Sequence, residues 1–189
     1  MEQYSDAEDY YKQALAMYTE LSQSGVSDDI GYTLHNLGVN FKKMRQYNDA
    51  EDYYKQALVV YRELSQGGVS EDIAQVLNNL GDNYSAMGQY SDAEVYYKQS
   101  SAMYRKLSQN GVSEDIACTL HNLAYNYGVM GQYSDAEEYY KQSLAMCRVF
   151  SQSGVSEDVA HVLNNLGINY TAMEQYSDAE DYYKQALAM

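Results

Sequence analysis

Apolar residues in this chain return at the spacing of a helix, and the whole pattern returns every 43 residues. From Val69 to Gly111, Ile73, Val76, Leu77, Leu80, Tyr84 and Met87 fall at helical intervals. After a short polar break, Ala93, Tyr97, Ser100, Met103, Tyr104 and Leu107 do the same. The two stripes predict two amphipathic helices, A and B. Ser70 is placed as the N-cap of helix A, with Glu71 and Asp72 against its positive end. Ser91-Asp92-Ala93-Glu94 has the form of a capping box for helix B. It recurs as Ser5 to Glu8, Ser134 to Glu137 and Ser177 to Glu180, with Asn48 replacing the serine in one copy. Gly111 is read as the C′ residue closing helix B, as are Gly25, Gly68 and Gly154. The break from Met87 to Tyr90 is short enough to force A and B to be antiparallel neighbours.

Val26 to Gly68 and Val112 to Gly154 are further full copies, Val155 to Met189 is a copy cut short, and Met1 to Gly25 is the back half of an earlier one. A fixed period in this range marks a repeat array, in which each unit buries its apolar face against its neighbours. The expectation is a single elongated all-α domain over residues 1–189, running B-A-B-A-B-A-B-A-B. It comprises a half repeat (1–25), full repeats at 26–68, 69–111 and 112–154, and a truncated repeat at 155–189. Gly81 on helix A and Ala93 on helix B leave room for close backbone approach, with Ala124 replacing the glycine in one copy. Tyrosine supplies the aromatic bulk, 23 Tyr against 2 Phe and no Trp, so each core tyrosine needs a hydroxyl partner or a place at the rim.

Leu77, Leu80-Gly81, Tyr84, Gly88-Gln89-Tyr90, Ala93, Tyr97 and Ser100 stand where the tetratricopeptide pattern has its signature residues, and the chain resembles that family along its whole length. The long period, the Leu-Asn-Asn-Leu-Gly element and the Gln-Tyr-Ser-Asp-Ala-Glu-x-Tyr-Tyr-Lys-Gln element are similar to the extended repeats of kinesin light chains and of related arrays in large nucleotide-switch receptors. Two departures stand out: the usual proline after helix B is missing, and Ser100 and Ser143 replace the last small alanine. The residues beyond the ordinary repeat of about 34 are expected to lengthen both helices. The resemblance implies a right-handed superhelical solenoid of antiparallel helix pairs, with helix A lining a concave, peptide-binding wall.

Three helix-A positions differ in all four copies: Tyr32/Gln75/Cys118/His161, Val39/Asp82/Tyr125/Ile168 and Lys42/Ser85/Gly128/Thr171. Two more alternate, His35/Asn78/His121/Asn164 and Lys43/Ala86/Val129/Ala172. At about 100° per residue these positions share an arc of roughly 100°, opposite Leu77, Leu80 and Tyr84. Ser70, Glu71, Asp72, Lys98 and Gln99, also expected to be exposed, hardly vary. The variation is therefore read as diversification for ligand recognition, with unrestrained drift as the alternative. Beside the arc, Asn36, Asn79, Asn122 and Asn165 are identical in every copy. They either clamp the backbone of an extended peptide or bond to the neighbouring repeat, and the sequence favours neither. The candidate groove thus comprises Tyr32, His35, Asn36, Val39, Lys42, Gln75, Asn78, Asn79, Asp82, Cys118, His121, Asn122, Tyr125, His161, Asn164, Asn165 and Ile168. Lys42 and Lys43 share one repeat, so the family's cationic carboxylate clamp is not evident, and the groove suits an apolar or aromatic-bearing peptide. Cys118, His121 and His161 make a three-ligand zinc site conceivable, but the reading taken is ordinary groove residues, with no metal and no cofactor.

Composition narrows the function classes. Apolar residues make up 46%, enough for a continuous core, while a net charge of −15 argues against nucleic acid and anionic membranes as partners. No apolar run approaches the roughly 20 residues of a membrane span, and no signal-peptide core precedes the first helix; the start in mid-repeat makes missing targeting signals weak guides to the parent protein. Cys118 and Cys147 form no disulfide framework, so a reducing, cytoplasmic location is expected. The glycosylation-like triplets Asn83-Tyr84-Ser85 and Asn169-Tyr170-Thr171 fall inside helix A and are read as chance. With neither an activated nucleophile nor a matched acid and base, the chain is not expected to be an enzyme. It is read as a protein–protein interaction module that binds an extended peptide or partner segment. The alternative is a structural scaffold acting through its ends, for Met1 to Met17 and Met173 to Met189 are identical and leave end-to-end self-association open.

Because each repeat touches only its neighbours, deleting residues 69–111 should preserve the helical fold and lower the urea midpoint. An unchanged midpoint would contradict the array.

Overall fold

A computed structural model describes residues 2–22, 25–151 and 156–188, and these contain nine α-helices and no strand. They are α1 (Glu2–Leu21), α2 (Asp28–Lys43), α3 (Tyr47–Leu64), α4 (Glu71–Ala86), α5 (Tyr90–Leu107), α6 (Glu114–Val129), α7 (Tyr133–Phe150), α8 (Glu157–Ala172) and α9 (Tyr176–Leu187). Even numbers are A helices and odd numbers B helices. Sixteen residues of A, a three-residue turn, eighteen of B and a six-residue loop fill the 43-residue period, so the extra length does go into helix. Two compact units form, 1–103 and 104–189. In the first, α2 packs on α1 and α3, and α4 packs on α3; in the second, α6 pairs with α7, α8 with α9, and α7 packs on α8.

The core follows the predicted stripes. Leu37, Leu77, Leu80, Leu120, Leu123, Leu163 and Leu166 of the A helices are fully buried, and so are Ala50, Ala93 and Ala136 of the B helices. Removing a leucine of this kind from water is worth roughly 1.5–3 kcal/mol. The stripe of α5 ends at Tyr104, since Leu107 is exposed. Glycine on helix A makes room for a ring rather than for bare backbone. A Cβ at Gly38, Gly81 or Gly167 would lie 2.5 to 2.6 Å from the ring carbons of Tyr54, Tyr97 or Tyr183. Where serine replaces alanine on helix B it is satisfied: the hydroxyls of Ser100 and Ser143 donate to the carbonyls of Ala74 and Ala117 at 2.7 and 2.8 Å.

Helix ends depart from the expectation in two places. Helix A starts as read, with Ser27, Ser113 and Ser156 accepting from the third helical N–H, although Ser70 turns to Asp72 instead. Helix B does not use the capping box. It begins at the tyrosine before the serine, behind Gln46, Gln132 or Gln175, none of which caps with its side chain. The glutamate of the box is employed elsewhere, as shown below. Nor do Gly25, Gly68 and Gly111 directly close helix B. The B helices end several residues earlier, at Leu21, Leu64 and Leu107, and Gly154 lies outside the described residues.

A left-handed residue follows each of the A helices α2, α4, α6 and α8, and among the B helices α3 closes in the same way at Gln66 (φ 52°), with the Gln66 N–H bonded to Glu63 and the Gly67 N–H to Arg62. Gly88 (φ 76°) and Gly131 (φ 75°) follow α4 and α6, and the bonds from Gly88 N–H to Ser85 and from Gln89 N–H to Tyr84 form a Schellman turn. After α2 and α8 the same position is held by Arg45 and Glu174, both at φ 61°. An L-residue in this region carries a penalty of roughly 1–2 kcal/mol, which glycine relieves apart from its larger unfolded-state entropy. Arg45→Gly should therefore raise stability in urea denaturation by about 1 kcal/mol, and Gly88→Ala should lower it by a similar amount.

Candidate functional site

The surface of helix A is shaped by how each repeat is joined to the one before. Asn40, Asn83 and Asn169, identical in type and buried, each donate from the side-chain amide at 2.9 Å to a tyrosine carbonyl in the first turn of the preceding B helix, Tyr4, Tyr47 and Tyr133. One residue further along, the hydroxyls of Tyr84 and Tyr170 donate at 2.6 Å to Glu51 and Glu137 of the preceding B helix. These are the box glutamates, and each also pairs with a lysine one turn on, Lys55 or Lys141. Burial works against their charge, but the ammonium and the tyrosine hydroxyl prevail and hold both carboxyls below the usual glutamate range. Tyr84 and Tyr170 also stack on Tyr96 and Tyr182 at 5.1 Å. Of the core tyrosines, Tyr97 finds Asp82 at 2.8 Å, whereas the Tyr54 hydroxyl has no hydrogen-bond partner among the described residues. Sequence reading passed over this buried asparagine row. The available signal was an amide repeated in every copy directly beside a core tyrosine.

The groove residues separate by depth. Tyr32, Gln75, Cys118, Tyr125, His161, Asn164 and Ile168 are exposed; Asn36, Val39, Lys42, Asn78, Asn79, Asp82, His121, Asn122 and Asn165 are half-buried; His35 is buried. The second asparagine row, left open above, joins repeats at two positions. Asn79 lies 2.6 Å from Nε2 of His35, and Asn165 lies 3.0 Å from Nε2 of His121. Lys42 donates to Asp82 at 3.0 Å, so its charge is engaged between α2 and α4. What remains outward-facing and large is Tyr32, Tyr125 and Ile168, each more than half exposed. Among the described residues no group of three or more His, Cys, Asp or Glu comes together as a metal would require, and the His121 Nε2 is already taken by Asn165.

Burial lowers both His35 and His121 below the ordinary histidine value of 6.5. Nearby His161 lowers His121 further, while Asp72 and Asp158 act weakly the other way. In the neutral ring with the proton on Nδ1, Nε2 can accept from the asparagine amide.

Antiparallel helix pairs, bonded at recurring positions and variable on one helix face, define a helical-repeat protein. The chain belongs to the tetratricopeptide repeat family, whose model matches residues 29–106 and 115–189. No curated protein matches it in sequence. Among solved structures it is similar to BtubC (BKLC) from P. vanneervenii, at 20% identity and a TM-score of 0.88 over 98% of this chain and 72% of that one. It is also similar to a Podosopora anserina chain named for kinesin light chain, with nearly identical TPR-like repeats, at 19% identity and a TM-score of 0.80 over 98% and 86%. A third is a Rap protein complexed with Competence and Sporulation Factor, at 17% identity and a TM-score of 0.67 over 98% and 58%. No helix among the described residues is long and apolar enough to cross a membrane.

A histidine depressed in the folded state is protonated first in the unfolded chain, so its contribution is complete above about 6.5 and is lost as pH falls through the folded value. The urea midpoint should fall between about pH 7.5 and pH 5.5, before the glutamates titrate. In a His35→Asn/His121→Asn variant, which carries the residue of Asn78 and Asn164, that fall should be smaller.

Proposed function

We propose that this chain is a protein–protein interaction module that receives an extended peptide or partner segment on the outward wall of its A helices. The observation that carries the reading is a division of labour between positions. Residues that join repeats, such as Asn83, Tyr84 and Glu51, are constant in type or nearly so, while the exposed Tyr32, Gln75, Cys118, His161, Tyr125 and Ile168 differ from copy to copy. A scaffold acting only through its ends would have no use for large apolar side chains spaced along one face. That a similarly folded Rap protein has been solved with Competence and Sporulation Factor bound supports a ligand-receiving role. Two free cysteines fit a reducing, cytoplasmic setting.

Tyr125 is the aromatic anchor on this reading, because it is 54% exposed and large, and interface energy concentrates in aromatic side chains. Against a peptide selected by display on the wild-type chain, Tyr125→Ala should weaken binding about thirtyfold, or about 2 kcal/mol, with stability changed by less than about 0.5 kcal/mol. Lys98→Ala, on helix B in an ion pair with Glu94, should leave binding unchanged. A peptide that tolerates Tyr125→Ala and is lost with Lys98→Ala would place recognition on the other face.

A further inference from the structure

One position breaks the repeat at the core. Tyr18, Tyr61 and Tyr104 occupy the same register of helix B, and in the fourth instance the residue is Cys147. The ring at this register is half-buried at Tyr18 and buried at Tyr61 and Tyr104. Tyr61 is 4% exposed and packs so tightly on α2 that a Cβ at Gly31 would come within 2.7 Å of it. Replacing a buried ring by a thiol leaves space that the surrounding backbone, held by the joints described above, only partly reclaims.

At Cys147 there is indeed a cleft of about 450 Å³, between α6, α7 and the start of α8. This lies within the roughly 300–1,000 Å³ of ligand pockets. Ala117, Cys147, Val162 and Phe150 supply its apolar lining, and Glu114, Asp115 and Asp158 stand around it. No lysine or arginine is among the described residues that line it. Burial raises the Cys147 thiol and depresses His121, so neither carries a charge that would alter the sign of the site. Cys118 and His161, two of the variable outward residues, also line the cleft and connect it to the candidate recognition face.

We propose that this cleft receives an aromatic side chain flanked by a lysine or arginine on the partner segment. The ring takes the space of the tyrosine found in the other copies, and the cation meets Glu114, Asp115 and Asp158. The proposal deepens the peptide-binding reading and rests on it for the partner, but the cleft can be tested without a peptide. Cys147→Tyr restores the residue of the other copies. The second copy already combines an alanine, Ala74, with a tyrosine, Tyr104, at the registers of Ala117 and Cys147, so the variant is expected to fold.

The probes are tyramine, a phenol with an ammonium group, and p-cresol, its neutral counterpart, titrated at low ionic strength and followed by NMR. Tyramine should shift the resonances of Ala117, Cys147 and Val162 saturably and bind severalfold more tightly than p-cresol. Cys147→Tyr should abolish both and raise the melting temperature, whereas Cys147→Ala should retain both. Glu114→Gln/Asp158→Asn should reduce tyramine to the affinity of p-cresol. Absence of saturable binding, or tyramine binding that survives Cys147→Tyr, would overturn the proposal. Display-selected peptides separate it from the broader reading. Peptides that need Tyr125 but bind Cys147→Tyr as well as wild type sink the cleft as the peptide's side-chain pocket and leave the groove standing. Tyramine binding lost in Cys147→Tyr, in a chain that selects no peptide, upholds the cleft and removes the groove.

Discussion

A buried side-chain amide bridging two helices sets the place of α2 on α1, of α4 on α3 and of α8 on α7. Asn83 is fully buried, and its amide donates at 2.9 Å to the carbonyl of Tyr47 at the start of the preceding B helix, with the Met87 sulfur at 3.8 Å as a second, weaker acceptor in its own helix. Leaving such a donor unpaired would cost about 1–3 kcal/mol, so the helix that carries it is held in rotation and in height. With that fixed, the next residue, Tyr84, brings its hydroxyl to Glu51 and its ring to Tyr96. Leucine packing supplies the bulk of the attraction but is indifferent to small slides, whereas a directed hydrogen bond between helices is not. Repetition of the same bonds at Asn169 and Tyr170 makes the second unit obey the same rule.

This arrangement frees the outer face of helix A from structural duty only in part. Position 32 and its counterparts are exposed, and so are Tyr125 and Ile168. Lys42 and Asp82, by contrast, vary between copies yet bond to each other, and His35 varies yet lies buried against Tyr54 and Asn79. Variation among copies thus mixes two kinds of position: those open to a partner, and those whose partner inside the chain has changed with them.

That mixture explains what could and could not be read from the residues alone. Helix number, order and core were legible because leucine and alanine spacing reports directly on burial, and Leu77, Leu80, Ala93 and Tyr97 all lie where the periodicity puts them. Helix ends were less so. Ser91 to Glu94 matches a capping box in letters, but the glutamate's partner is a tyrosine hydroxyl 33 residues away in the next repeat at the equivalent Glu51, which no local pattern encodes. The asparagine row at Asn79 and Asn165 stayed ambiguous for the same reason. An amide identical in every copy serves a joint or a ligand equally well, and only the position of His35 and His121 on the neighbouring helix distinguishes them. The cleft at Cys147 was not read from the residues: one copy carries cysteine where the others carry tyrosine, but the acidic rim depends on how α8 approaches α6 and α7.

The joints also bear on how such a chain changes length over generations. The asparagine bond always spans 36 residues and the tyrosine bond 33, and the groups involved are the same type wherever these bonds occur. A whole period inserted or lost by misaligned recombination between copies would therefore arrive with both halves of every joint already matched. Such an event would alter the sequence of outward side chains while requiring no compensating substitution in the core, so the proposed recognition face would be adjustable by counting and reordering copies as well as by point mutation.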